Sequence, residues 1–371
     1  MRSDNVKSKR ILTIFCLVAA CVFVLLKIDF IADKPTSFPD ANFNNDMYHG
    51  NRMWIFNDTV FYTQDGFYNM GIYRSDKGNV VKLLESSDFE DADVGECYAN
   101  GSGLYFRYIA TPTDYIYRYD LEKETYAPVA EIPRIERWAV TGDYLIYRDQ
   151  REENDEWVSS LFVHNMRDGT TKQVCPYVQE FGIVNGQLRY VTYSDCARLY
   201  QYDYEEGSSS LLGEFTLAFE DVNYNFTPDA LVMTNHKRES GHELWVYTIG
   251  SDEVAVYSFP RKIQEMVAYD QYAYAVVYDT RTSGSDAVYN VENGIYRINL
   301  SDGSYEVVMH GADDDIEIHV TADDVVYIIE GSSSPIGRHQ ETVYRMDCNT
   351  GLKMKITDIE AILFDLPSIF P

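Results

Sequence analysis

Carboxylates crowd three stretches of this sequence: SSDFEDADVGE from Ser86, REENDE from Arg151 and GADDDIEI from Gly311. Asp91 and Asp93 in the first, with Asp313, Asp314 and Asp315 in the third, form a candidate acidic surface. Calcium takes about six to eight oxygens from several chain segments, and such loops can supply them. No D-x-[DN]-x-[DN]-G loop is present. Calcium is therefore an option without a dedicated motif, solvated surface charge is the simpler reading, and no cofactor is expected. The seven histidines are scattered, with His236, His242 and His339 in segments that should share one end of the fold. Their convergence would make a metal site. Trp157 and Tyr289 offer rings for stacking on a sugar or a peptide, with Arg281 and Arg338 as nearby cations. The motifs G-x-S-x-G, H-E-x-x-H and G-x-x-x-x-G-K-[ST] are all missing. Paired carboxylates for glycoside hydrolysis stay open, because their separation is a three-dimensional quantity.

The elements that must position these residues form a repeat. GIYRINLSDGSYEVV from Gly294 has counterparts beginning at Gly71, Tyr115, Ser160, Arg198, Glu243 and Thr342. The aromatic at the second apolar position is Tyr73, Tyr117, Phe162, Tyr200, Trp245, Tyr296 and Tyr344, at spacings between 38 and 51 residues. Each unit reads as strand, polar turn, strand, a hairpin signal. Two further apolar runs precede each hairpin, as in RWAVTGDYLIYRD of the third unit. Four short antiparallel strands per repeat make one propeller blade. Strands such as Val325–Ile329 are apolar at every position because a stacked blade buries both faces. The second-position aromatics, Tyr117 and Tyr296 among them, are expected between blades. EAILFDL, from Glu360 to Leu366, reads as an eighth inner-type strand, and the mode of ring closure stays open.

The (I/L)YR(I/Y)(D/N)…G unit resembles the YWTD and TolB-like propeller repeats, and is most similar to uncharacterised bacterial membrane-anchored propeller domains. The resemblance covers roughly Asn51 to Asp358. The YWTD tetrapeptide itself is missing, so the partner preferences of receptor propellers are not implied. What the resemblance implies is the fold: an all-β, seven-bladed propeller of four-stranded antiparallel blades.

The N-terminus is different in kind. Arg2, Lys7, Lys9 and Arg10 precede sixteen apolar residues, Ile11–Leu26, and Lys27 is followed by IDFIA. About 20 residues span a bilayer, and a lysine near the end of a span can snorkel. Residues 11–31 are thus expected as a transmembrane signal anchor, after a basic cytoplasmic tail (1–10) and before a linker (32–46) and the propeller (47–371). Positive charge on the N-terminal side puts the propeller outside the cytoplasm, as a single-pass protein of the cell membrane. Two alternatives export the chain equally: a lipoprotein signal, with Val18-Ala19-Ala20-Cys21 as lipobox, and a cleaved secretory signal. The formal net charge of −28 argues against nucleic acid as a partner. Cys97, Cys175, Cys196 and Cys348 match no zinc spacing, and free thiols are the simpler reading although export would permit a disulfide.

Long segments between second and third strands (Gln150–Trp157, Asn235–His242, Asp279–Asn293, Glu330–Glu341) should share one face with the acidic crossings, opposite tight turns such as Ser301-Asp302-Gly303. Binding usually resides on long ordered loops. The expected site is therefore Trp157, His236, His242, Arg281, Tyr289, Arg338 and His339, beside the acids named above. The expected function is a non-catalytic binding or scaffold module for an extracytoplasmic protein, a peptide or a cell-wall glycan. The alternative is an exported polysaccharide lyase or glycosidase.

Overall fold

Each repeat folds as a four-stranded antiparallel meander, its strands in chain order from the innermost to the outermost. The computed structural model describes residues 53–362, except 57–58, 65–70, 77–78, 86–92, 101–102, 111–112, 134, 154–155, 217–221, 236–241, 252, 279–292, 313–315, 323 and 334–337. Blade 1 is β1 (Met53–Phe56), β2 (Thr59–Gln64), β3 (Gly71–Asp76) and β4 (Asn79–Glu85). Blade 2 is β5 (Asp93–Asn100), β6 (Gly103–Ala110), β7 (Thr113–Asp120) and β8 (Thr125–Pro133). Blade 3 is β9 (Arg137–Thr141), β10 (Tyr144–Glu153), β11 (Glu156–Asn165) and β12 (Thr171–Cys175). Blade 4 is β13 (Glu180–Val184), β14 (Gln187–Tyr193), β15 (Ala197–Asp203) and β16 (Ser208–Phe215). Blade 5 is β17 (Val222–Phe226), β18 (Ala230–Asn235), β19 (Glu243–Thr248) and β20 (Val254–Ser258). Blade 6 is β21 (Ile263–Tyr269), β22 (Tyr272–Val277), β23 (Gly294–Asn299) and β24 (Tyr305–His310). Blade 7 is β25 (Ile316–Ala322), β26 (Val325–Ser333), β27 (Arg338–Asp347) and β28 (Leu352–Ile362). The chain is a seven-bladed, all-β propeller. The apolar segment 11–31 lies outside the described residues, among which no helix is long and apolar enough to cross a membrane.

The repeat aromatics lie between blades as expected, Tyr117 against blade 1 and Tyr296 against blade 5, but the aliphatic residue before each is the more deeply buried of the two. Ile72, Ile116, Leu161, Leu199, Leu244, Ile295 and Val343 are all sealed from solvent. Tyr296 is sealed as expected, whereas Tyr117 is only half-buried. The reason is a β-bulge. In six blades the pairing of third and fourth strands slips between these two residues, leaving Leu83, Val129, Val174, Leu212, Val308 and Ile356 as the extra residue. Only blade 5 keeps straight register there. A bulge bends the strand and raises its twist, so the outer part of the blade turns away from its neighbour. The aromatics also find partners within their own blade. Tyr73, Tyr117, Phe162 and Tyr200 stack on the residues directly opposite, Tyr62, Phe106, Tyr147 and Tyr190, at 5.1–5.5 Å. Such cross-strand pairs are the unit of sheet stabilisation.

Polar groups stitch neighbouring blades together near the axis. Asn100 Nδ2 donates to Gly142 O across blades 2 and 3 (3.0 Å), and Arg189 Nη1 to Pro228 O across blades 4 and 5 (2.9 Å). Asn225 donates to Met266 O and accepts from Ala268 N, and Glu265 Oε1 accepts from Ile318 N. Blade 7 meets blade 1 without strand exchange. There Met53, Ile55, Val60, Tyr62 and Tyr73 pack against Tyr327, Ile329 and Val343, and the buried Ser75 and Thr357 hydroxyls lie 2.7 Å apart. The described part of the expected eighth inner strand is instead outermost: Glu360–Ile362 complete β28 of blade 7, opposite Gln340, His339 and Arg338, and residues 363–366 lie outside the described residues. Among the described cysteines all four are free, three buried and Cys196 half-buried.

The third and fourth strands are joined by tight turns whose lead residue caps the next amides. Asp120 accepts from Glu122 and Lys123, Asp347 from Asn349 and Thr350, and Asp302 from Ser304. Gly303 sits at φ +70°, and an added Cβ would collide with the Tyr257 ring of blade 5. The backbone N–H of Lys123 holds the Asp120 carboxyl below the usual carboxylate range, and that of Thr350 does the same for Asp347. A carboxyl whose folded value is depressed contributes stability above its unfolded pKa and loses it as pH falls through the folded value. The urea midpoint should therefore decline from about pH 4 downward. Asp120→Asn and Asp347→Asn should make that decline shallower, and an unchanged acid limb in the double variant would remove the turns as its source.

Candidate functional site

Every inner strand starts at the end of the barrel opposite these tight turns, because the chain arrives there from the outer strand of the preceding blade. Charged or polar residues lie toward this end of several inner strands: Arg137 and Glu180 open β9 and β13, Asn223 and Glu317 are second in β17 and β25, Glu265 is third in β21 and His319 is fourth in β25. The best-built group joins blades 3 and 4. Glu180, 2% exposed, holds Arg137 at 3.2 Å and Arg148 at 3.3 Å. Arg148 also grips Glu136 with Nε and Nη2, both at 2.9 Å, and donates to Gln179 O at 2.6 Å. A planar guanidinium held through both terminal nitrogens by two carboxylates and a carbonyl is a rigid element. Beside it, burial pushes the Tyr224 hydroxyl well above the usual range, aided by Glu180 and Tyr193. Burial also raises the Asp149 carboxyl, with Glu136 as a further cause, and its Oδ1 has no partner.

The outer part of the same end, on blade 4, is exposed. Tyr177 (57% exposed) precedes β13, and Tyr193 (44%) closes β14. Between β14 and β15, Ser194 donates to Asp195 Oδ1 at 2.6 Å, while Arg198 donates to both and to Glu214 Oε1. The Ser194 hydroxyl, followed by Arg198, brings the Asp195 carboxyl down to about 2. This corner offers two phenol rings and a fixed carboxylate, groups that stack on and hydrogen-bond to extended chains. Among the described residues no three His, Cys, Asp or Glu side chains converge as a metal-ligand set.

The sequence-predicted residues are spread over several blades. Trp157 is the second residue of β11, opposite Glu152. Arg338 and His339 open β27, opposite Ile362 and Ala361 of β28. His242 is half-buried just before β19, and its carbonyl accepts from Phe259 N at 2.7 Å. Asp93 begins β5, opposite Ile109. His236, Arg281, Tyr289, Asp91, Asp313, Asp314 and Asp315 lie outside the described residues. Two of the expected long loops are corrected. Residues 150–157 and 330–341 are mostly ladder, paired out to Glu153–Glu156 and Ser333–His339, because the second and third strands of blades 3 and 7 run on past the blade. Sequence reasoning missed Tyr177, Tyr193, Asp195, Arg198 and Glu180. The available signal for Glu180 was a charged residue opening an otherwise apolar inner strand.

No known protein-family profile matches the sequence, and no curated protein matches it. Solved structures do. A prolyl endopeptidase superposes with a TM-score of 0.59 at 10% identity, over 89% of this chain and 51% of its own. The acylaminoacyl peptidase of Pyrococcus horikoshii gives 0.54 at 13% identity, over 86% of this chain and 53% of its own. The β-propeller domain of the Trilobed protease from Pyrococcus furiosus, described as having an open velcro topology, gives 0.53 at 11% identity, over 88% and 99%. This chain thus spans about half the length of the two peptidases and nearly all of the isolated propeller domain. At these identities the likeness is one of fold, so the expected YWTD/TolB-like resemblance stands as a β-propeller. The expected function is corrected by the same findings. Neither a non-catalytic binding or scaffold module nor a polysaccharide lyase or glycosidase is kept, since the similar structures are mostly peptidase propellers.

Proposed function

We propose that this chain is a peptidase-related propeller, one that handles polypeptide substrates beside a peptidase catalytic unit on the same or another chain. The observation that carries the reading is the seam. Among the described residues all seven blades are complete from four consecutive strands, and blade 7 meets blade 1 through side-chain contacts with no strand shared between them. That arrangement corresponds to the open velcro topology described for the protease propeller domain. The long-loop end, with its fixed ion pairs and exposed tyrosines, is the end that polypeptide would meet. Residues 11–31 are proposed as the membrane anchor that carries the propeller outside the cytoplasm. The test is capture of the full-length chain from native membranes, followed by hydrolysis assays on a mixed peptide library. Peptide hydrolysis should accompany the chain and be absent from an empty bait. A chain that retains neither peptidase activity nor peptide would overturn the reading.

The seam has its own test. Ser75→Cys with Thr357→Cys places two sulfurs where hydroxyls now lie 2.7 Å apart, and a disulfide would latch the ring. The oxidised double variant should gain about 2–4 kcal/mol over its reduced form. No gain would mean that blades 7 and 1 are not joined as described.

A further inference from the structure

The outer rim of the seam gathers several exposed apolar side chains, where the outer strands of blades 4, 5 and 6 each carry one, Leu211, Val256 and Tyr305. Leu352 and Met354 of β28 stand opposite Asp347 and Arg345. They therefore share a face with Val343, which packs against blade 1. From the other side, Val80 of β4 stands opposite Ser75, the residue that meets Thr357. These apolar side chains face one another across the seam and are open to solvent: Leu352 62%, Met354 46% and Val80 48%. The position of Met354 is held by Ala127, Ser210 and Glu306 in blades 2, 4 and 6. Val81 and Tyr126, also exposed, carry the surface on to blade 2.

The outer strands here are also poor in acid, as are residues 171–176, 208–213 and 254–259 of blades 3, 4 and 5. Residues 79–84, 125–130 and 352–357 contain Lys82, Lys353 and Lys355 and no acid, in a chain of net charge −28. Lys353 is paired with Glu330 and Lys355 with Asp358. An apolar strip edged with lysines suits the boundary between headgroups and acyl chains, where apolar groups enter and ammonium groups reach phosphate. The apolar segment Ile11–Leu26 precedes blade 1, and residues 32–52 reach about 70 Å when extended. A strand of seven to ten residues is only about 25–35 Å long, so that tether is ample.

We propose that the rim of blades 7, 1 and 2 lies on a phospholipid surface, with Leu352, Met354 and Val80 entering it and the lysines at phosphate level. The proposal rests on residues 11–31 being the membrane anchor. Full-length chain is placed in nanodiscs containing anionic phospholipid and, in parallel, in amphipol. Hydrogen exchange is then followed in 79–85 and 352–358, with the outer strands β16 and β20 as internal controls. Exchange in the two rim segments should slow in nanodiscs alone, with the controls unchanged. Val80→Glu, Leu352→Glu and Met354→Glu together should abolish the difference while the far-ultraviolet circular dichroism stays native. Nanodisc-bound chain with equal rim exchange in both settings would overturn the rim proposal and leave the anchor standing. Failure to enter nanodiscs would remove the anchor and the rim together. Protection that instead rises with protein concentration in amphipol, with a dimer by light scattering, would assign the rim to a second copy and overturn the lipid reading.

Discussion

Glu180→Ala should cost about 3–5 kcal/mol of unfolding free energy, the range found when one member of a buried ion pair is removed. Glu180 is 2% exposed and answers both Arg137 and Arg148, whose side chains are themselves mostly covered. Its removal leaves two guanidiniums facing each other with less counter-charge, at the first residue of a strand that is buried throughout. Glu136 would still hold Arg148, so the larger part of the loss should come through Arg137. A double-mutant cycle of Glu180→Ala with Arg137→Ala separates the two. The pair should lose less than the sum of the single changes, because the second removal takes away the charge orphaned by the first. Urea unfolding provides the measurement. A loss below about 1 kcal/mol for Glu180→Ala would mean that the group is wetter than its geometry indicates.

The second large effect concerns the repeat itself. Ile116→Ala should cost about 2–5 kcal/mol, the range for emptying a sealed aliphatic site, whereas Tyr117→Ala should cost less. Ile116 is closed between blades 2 and 3, while Tyr117 is half-buried over Phe106 with Tyr108 and Tyr126 at its edges. Blade 6 supplies the contrast. Tyr296 is 2% exposed and stands opposite Ala275, so Tyr296→Ala should reach about 3–5 kcal/mol. Tyr296 faces a small residue and is sealed, whereas Tyr117 stacks on another ring and stays half-buried. Equal losses at Tyr117 and Tyr296, or a larger loss at Tyr117 than at Ile116, would contradict this account.

These two cases also mark how far the sequence could be read. The aromatic in each repeat was visible because a strand–turn–strand pattern is local, set by propensity and turn chemistry over about fifteen residues. The aliphatic residue before it was equally visible, but not that it would be the more deeply buried of the two. That depends on a bulge, and a bulge is a property of two strands paired in space. The same limit explains the hairpins at 150–157 and 330–341. Their polar composition reads as loop, yet the strand pairing continues through them, which is settled by the partner strand in space and not by local composition.

By itself, then, the sequence determined the number of blades, the order of their strands and the end at which the tight turns gather, because each follows from contacts between residues close in the chain. It also determined the acidic character of the molecule and the apolar N-terminal segment, which are compositional. Only the tertiary structure decided which polar groups work together. Glu180 with Arg137 and Arg148, Ser75 with Thr357, and Leu352 and Met354 across from Val80 are brought together from as far as 282 residues apart. Burial, charge pairing and an open apolar rim are relations between blades, and a repeat read one unit at a time does not contain them.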